Sequence, residues 1–281
     1  VHSRGGIGNQ LFILGAGLAL ADELDCRLYV DPSQHRYTPH LPYLVEEFLS
    51  GACPELVSSI VSLDEPSTAL SRAVLRGTIP RSCTLNESTF AYETDFFLQR
   101  RGSCLLGYFQ SWHYLNRLSA ARQEQIRFTI LSKVEATPLW GHSDIVLHVR
   151  RGDYLKPEVR EIHGVLCYGY YIDAVNKLRE LGFDGQVWAV VQNPLDDGPI
   201  WSQVLRREVK ELHGSTIWHD LSALMSAPSL AIANSTFSWL GGWFGDQSRP
   251  IVAPAPWFRT SEIDTRDLIP PWWLTGNHEF D

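Results

Sequence analysis

The sequence holds no apolar run long enough to cross a membrane as a helix. Its opening at Val1 carries no charged-then-apolar leader and its end no lipidation signal, so the expectation is a soluble chain, or one trimmed of an anchor. Cysteine is sparse: Cys26, Cys53, Cys83, Cys104 and Cys167 lie far apart, with no CxxC pair. That spacing excludes a zinc ribbon or a dense disulfide framework and leaves free, buried thiols. Basic charge is short as well. With 24 Lys and Arg against 32 Asp and Glu, the net charge is -8, which argues against a nucleic-acid partner. Internal repeats and low-complexity runs are absent too.

What is present is a chain of 281 residues, 44 % hydrophobic, enough for one large domain or, as the preferred reading, two of ordinary size. Ten tryptophans stand out, with Trp239, Trp243, Trp257, Trp272 and Trp273 near the end. Most of them read as core packing, although such rings also stack on sugars.

Hydrophobic periodicity gives a βαβ opening: a short strand ending near Ser3, a glycine-rich turn, a helix over residues 10–23 and a strand over 27–30. Residues 32–103 carry no clear pattern. A strand follows at 103–107, a helix at 116–132, and an interruption by Pro138 and Gly141 that marks a domain boundary, dividing the chain into 1–140 and 141–281. The second half alternates: strands at 144–150, 186–191, 230–233 and 250–252, helices at 170–181, 201–209, 220–226 and 239–244. Strands alternating with helices predict a parallel sheet covered on both faces.

Three places can carry chemistry. His148-Val-Arg-Arg-Gly-Asp153 closes the strand at 144–150, where a parallel sheet binds ligands. The guanidiniums of Arg150 and Arg151 suit a diphosphate, and Asp153, past the flexible Gly152, is placed to accept a hydroxyl proton. Glu158, Glu161 and His163 are the other candidates for that base. The same residues also fit an Arg-Asp pair that merely caps a strand end.

The second place is Gly5-Gly-Ile-Gly-Asn-Gln10, whose glycines let backbone N–H groups approach an anion or hydroxyl at a helix start. It is a partial dinucleotide fingerprint, with Leu11 where the third glycine belongs and Asp31 at the distance of a ribose-binding acid. A nicotinamide-dependent oxidoreductase is one reading, and a tight structural turn another. The third place is Asn234-Ser-Thr-Phe-Ser-Trp239, where Ser235 or Thr236 caps a helix following a strand. Asn234-Ser-Thr and Asn86-Glu-Ser also match the N-glycosylation pattern, which short sequences do by chance.

Taken in order, Gly5-Gly-Ile-Gly-Asn-Gln-Leu-Phe12, Leu106-Gly-Tyr-Phe-Gln-Ser111, His148-Val-Arg-Arg-Gly-Asp-Tyr154, Asn234-Ser-Thr-Phe-Ser-Trp239 and Ala253-Pro-Ala-Pro-Trp-Phe258 resemble the motif series of the α1,2-fucosyltransferases, glycosyltransferase family 11. The resemblance implies a GT-B-like α/β fold, two Rossmann-type domains with parallel sheets facing a cleft. It also implies inverting transfer of fucose from GDP-fucose to an oligosaccharide or glycoconjugate acceptor, with no metal and no other cofactor. Arg151, Asp153 and His148 are then catalytic, and Arg150, Asn193, Asn234, Ser235, Thr236 and Phe237 hold the donor. Gly6, Gly8, Asn9 and Gln10 face fucose or acceptor. The chain departs from the family after the strand at 187–191, where Gln192-Asn193-Pro194 replaces Ser-Asp-Asp and leaves Asn193 as the nucleoside contact. Scattered thiols favour the cytoplasm, with the Golgi lumen as the alternative for a trimmed eukaryotic domain. A carbohydrate-binding protein without turnover remains the non-enzymatic reading.

Overall fold

The computed structural model describes residues 1–37, 41–63, 84–87, 89–138, 140–192, 195 and 198–281. Packing divides the chain into two compact units, Val1–Thr129 with Asp264–Ile269, and Ile130–Ile263 with Pro270–Asp281. Each is an α/β unit on parallel strands.

In the first unit β1 (Leu28–Val30) pairs with β2 (Ile60–Ser62), and β3 (Thr84–Asn86) with β4 (Cys104–Leu106). The chain start lies between the two pairs. Asp31 N–H donates to Val1 O and Ser3 N–H to Asp31 O, both at 2.9 Å, while His2 N–H reaches Leu105 O at 3.3 Å. The strand expected near Ser3 is thus an extended segment with one isolated bridge, His2 to Asp31. α1 (Ile7–Glu23) starts earlier than the expected residue 10, because Gly6 takes an extended backbone and serves as N-cap.

Two short helices, α2 (Val45–Leu49) and α3 (Pro54–Ser59), occupy part of the stretch that has no sequence pattern. The helix expected over 116–132 is α5 (Ala120–Leu131), and a short helix not expected from sequence, α4 (Trp112–Leu115), precedes it. The Ser111 side chain accepts from His113 N–H and so starts α4. Nearly all of α1 is buried because it is covered on two sides. A Cβ on Gly17 would strike Leu28, and one on Gly15 would strike Leu115. Such a helix shows no polar stripe to read from sequence.

The second unit is a six-stranded parallel sheet: β5 (Ile145–Val149), β6 (Val187–Val191), β7 (Val209–Leu212), β8 (Leu230–Ala231), β9 (Ile251–Ala255) and β10 (Leu274–Asn277), in the order β10-β9-β8-β5-β6-β7. The chain lays β5, β6 and β7 to one side, then crosses back and lays β8, β9 and β10 to the other. This is the doubly wound arrangement, with its switch point between β5 and β8. The connecting helices are α6 (Pro157–His163), α7 (Tyr168–Glu180), α8 (Gly198–Val204), α9 (Ile217–Ser226) and α10 (Thr236–Phe244).

Every residue of β5 is buried, because helices cover both faces of the sheet. Ile145, Leu147 and Val149 pack with Tyr170, Tyr171, Ala174 and Leu178 of α7, while His148 points the other way, toward Phe237 of α10. The helix expected to reach residue 209 stops at Val204, and Val209 instead opens β7, its N–H held by Ser202 Oγ at 3.0 Å. Trp239, Trp243, Trp257 and Trp273 are core residues, whereas Trp272 is half exposed. Cys26, Cys53, Cys104 and Cys167 are free as expected, but half-buried rather than buried, and Cys83 lies outside the described residues. Among the described residues no helix is long and apolar enough to cross a membrane.

Tyr170 ties the sheet to α7. Its ring is fully buried, and its hydroxyl donates to Ile232 O at 2.6 Å and lies 3.0 Å from Val252 O, at the ends of β8 and β9. Tyr170→Phe leaves Ile232 O short of a donor and lowers the unfolding free energy by about 1–3 kcal/mol, as urea denaturation will show.

Candidate functional site

The ligand side of a doubly wound sheet is the carboxyl edge at its switch point. Two loops leave the second unit's sheet there: the one after β5, beginning with Arg150, and the one after β8, beginning with Ile232. The structure therefore brings two of the three chemistry-bearing motifs to one edge.

Alternation along β5 carries into the loop. Arg151 continues the face of Ile145, Leu147 and Val149: its guanidinium donates to Leu166 O at 3.2 Å and lies 5.6 Å from the Trp201 ring centroid. Arg150 has its own cradle, donating to Asp153 Oδ1 at 2.5 Å and Gln192 Oε1 at 3.4 Å, with its guanidinium 5.3 Å from the Tyr154 ring centroid. The Arg-Asp pair anticipated from sequence is therefore present, and Asp153 spends one oxygen holding Arg150. Gly152, at φ +52°, turns the chain between them.

His148 is buried, and burial together with the neighbouring Arg150 pulls its pKa down to about 3. It is a neutral imidazole at any physiological pH, packed 5.8 Å, centroid to centroid, from Phe237. Its carbonyl accepts from the Tyr171 hydroxyl at 3.2 Å.

Asn234 is the hub of this edge. Its side-chain Nδ2 donates to His163 O at 2.7 Å and Trp257 O at 3.2 Å, and its own carbonyl accepts from the Tyr154 hydroxyl at 2.9 Å. Chain segments following β5, β8 and β9 meet in this one residue, and a side chain 1 % exposed is no glycosylation site. Ser235 is the N-cap of α10, yet its side chain makes no capping bond. The cap expected of Ser235 is thus absent at the start of α10, which Thr236 and Phe237 open. Asn193, expected at the nucleoside, lies outside the described residues, as do Asp196 and Asp197.

His163, a candidate base by its residue type, lies in a ring cluster that the motifs themselves do not announce. His163 sits between Tyr154 (5.0 Å) and Phe258 (5.2 Å), centroid to centroid. Burial lowers the His163 pKa, with Asp153 pulling the other way. No local pattern announces this cluster; only the fold closes it.

In the first unit the glycine loop is built as a helix start. Gly5, at φ +71°, has no room for a Cβ, which would lie 2.4 Å from Asn9 Nδ2, whereas Gly6 faces open space. Gly8 is buried within α1. Asn9 Oδ1 accepts from Gln110 Nε2 at 2.9 Å. Gln10 is 1 % exposed and spends its amide internally, donating to Gly5 O and Pro42 O and accepting from Leu44 N–H. It braces the loop instead of facing a ligand, which corrects the expectation of a sugar contact. Nearby, His35 Nδ1 donates to Leu41 O (2.7 Å), so its Nε2 is bare and accepts from the Ser3 hydroxyl at 3.0 Å. Asp31 turns its carboxylate onto Ser33 N–H at 2.9 Å, and Leu11 is buried. Neither is left for a dinucleotide, which removes the nicotinamide reading.

Glu87 is a residue that the sequence did not single out for any role. Its Oε2 accepts from the N–H groups of Tyr108 (2.6 Å) and Phe109 (3.0 Å), within the Leu106–Ser111 motif. Burial outweighs those bonds and pushes its pKa up to about 7.

Comparison with known proteins agrees with this geometry. The sequence pattern described as Glycosyl transferase family 11 matches residues 103–258, which include β4, the Arg150–Asp153 loop, Asn234 and the Trp257–Phe258 corner. The chain is similar to an Escherichia coli protein named alpha-1,2-colitosyltransferase, 26 % identical over 96 % of both chains. It is also similar to the Escherichia coli O-antigen biosynthesis glycosyltransferase WbnK, 26 % identical over 90 % of this chain and 93 % of that one.

The raised Glu87 pKa has a consequence for stability. An unfolded glutamate ionises near 4.5 and the folded one near 7. As pH rises between those values the unfolded chain releases this proton first, so the group costs stability with rising pH, by roughly 1–3 kcal/mol above pH 7. Glu87→Gln removes that cost: thermal melts will show the variant more stable than wild type near pH 8, and the two converging near pH 4.5.

Proposed function

The chain belongs to Glycosyl transferase family 11 and is a glycosyltransferase; from that premise we propose that it moves L-fucose from GDP-fucose to a hydroxyl of a glycan acceptor, O2 of a galactose, forming an α1,2 linkage with inversion. The observation that carries the donor half is the switch point of the second unit's sheet. Arg150 and Arg151 leave β5 there, and α10 begins, without a side-chain cap, just after β8. Guanidiniums and helix N–H groups are what a departing diphosphate needs where no metal takes its charge.

In this reading the second unit is the donor side and the first, with Gly6 and Asn9, the acceptor side. The acceptor hydroxyl attacks the anomeric carbon, a new C–O bond forms as the bond to GDP breaks, and the electron pair leaves with the diphosphate. His148, held neutral, offers a hydrogen bond to the donor without competing for its negative charge. Asp153 holds Arg150 in line with the phosphates and is the first candidate to receive the hydroxyl proton, with His163 as the alternative. The linkage agrees with the α1,2 in the name of one relative. A cytoplasmic setting goes with the free thiols.

A second reading follows from the same relative: the sugar is colitose. The deciding assay offers the chain GDP-fucose, or a nucleotide-activated colitose, with galactose-terminated acceptors and EDTA present. The fucosyl reading expects fucosylated product and released GDP; product from the colitosyl donor alone overturns it, and activity lost with EDTA overturns metal independence. Arg151→Ala is expected to lower turnover by roughly 10²–10³-fold with the fold retained, the melting temperature falling only by what the lost contacts to Leu166 O and Trp201 contribute. Turnover like wild type in that variant would remove Arg151 from the mechanism.

A further inference from the structure

Glu87 stands outside the motifs named for sugar and phosphate, yet it is fastened to one of them. β3 and β4 pair in parallel and end at Asn86 and Leu106, so Glu87 and Gly107 leave the sheet side by side. Glu87 N–H donates to Leu106 O at 2.8 Å. A Cβ on Gly107 would lie 2.5 Å from the Cβ of Glu87, so the turn passes only because residue 107 is glycine. Beyond it Phe109 holds φ +51°, a conformation that side chains disfavour. That turn aims two successive N–H groups, of Tyr108 and Phe109, at Glu87 Oε2. The next residue, Gln110, donates to Asn9 Oδ1, and Asn9 fills the space over Gly5 where no Cβ fits. A continuous path of contacts therefore runs from the Glu87 carboxyl through the 107–110 turn and Asn9 to the glycine loop.

We propose that Glu87 is a positioning residue for the acceptor-side loop, its carboxyl group setting how firmly the 107–110 turn presents Asn9 and the start of α1 to the acceptor. The inference rests on the reading of the first unit as the acceptor side. Among the described residues Oε1 of Glu87 is buried and has no hydrogen-bond partner, so there the two N–H groups are what holds this carboxyl. The ionised form is the stronger acceptor for them. Three charged or titratable groups act on it or feel it: Arg4, whose guanidinium lies 5.0 Å from the Tyr108 ring centroid, Glu93, and Tyr114 of α4. Burial penalises the carboxylate charge by more than the two bonds return and keeps the proton on Glu87 up to about pH 7, so the loop loosens as pH rises through neutrality.

The test compares wild type, Glu87→Gln and Gln110→Leu with whichever glycosyl donor proves active. Between about pH 6 and about pH 8 the wild-type acceptor KM is expected to rise, by roughly fivefold, while donor KM and kcat change far less. Glu87→Gln stays near the low-pH value throughout, and Gln110→Leu raises acceptor KM at every pH. Amide hydrogen exchange gives a readout that needs no turnover: near pH 8, Gln110→Leu should exchange faster than wild type over residues 5–9 and Glu87→Gln more slowly, with residues 150–154 unchanged in both. If no fucosyl transfer occurs but the loop exchange responds, the fucosyl reading fails and the Glu87 link stands. An acceptor-KM pH profile in Glu87→Gln that superimposes on wild type, or loop exchange identical in all three proteins, overturns the proposal.

Discussion

One side-chain amide holds together the carboxyl edge of the second unit's sheet. Asn234 donates to the carbonyls of His163 and Trp257 and accepts, through its backbone, the hydroxyl of Tyr154. Loops that leave three neighbouring strands have no ladder to align them once the sheet ends. Here a single buried residue supplies the missing bonds, and each is needed because a carbonyl or hydroxyl stranded in the interior costs about 1–3 kcal/mol. Everything chemical at that edge is referred to this hub: Tyr154 supports the Arg150 guanidinium, Arg150 takes its direction from Asp153, and α10 begins two residues after Asn234.

The first unit solves the same problem with different parts. Gln10 closes the loop ahead of α1 by using its whole amide inside the protein, and Glu87 collects two N–H groups of the turn after β4. In both units a buried polar side chain is spent on backbone, so that neighbouring backbone can face outward. Residues that look like ligand contacts in a motif are then of two kinds, those that meet a ligand and those that build the place where it is met. Gln10 and Asn234 belong to the second kind.

How much of this the sequence reveals depends on the range of the interaction. β5, β6 and the helix over Tyr168–Glu180 are legible because apolar runs and a one-sided stripe announce them, and with them comes the strand end that places Arg150 and Arg151. α1 is legible as a helix, but its start is not, since Gly6 as N-cap carries no side-chain signal. β10 shows mostly exposed positions, and β7 none that is fully buried, so neither has the apolar run of a central strand. α6 buries no residue and leaves no stripe. Glu87 is invisible for another reason, and so is the ring cluster around His163, itself a candidate by residue type alone: what distinguishes them is burial beside residues distant in the chain, which only the folded protein brings together.

The central claim is that the switch point between β5 and β8 receives the nucleotide sugar. Photo-crosslinking with an azido-substituted GDP-sugar, followed by peptide mapping, tests it most directly. The account predicts labelled peptides from the loops after β5 and β8, covering residues 150–166 and 232–238, with labelling suppressed by excess GDP. Suppressible labelling confined to the first unit would contradict it.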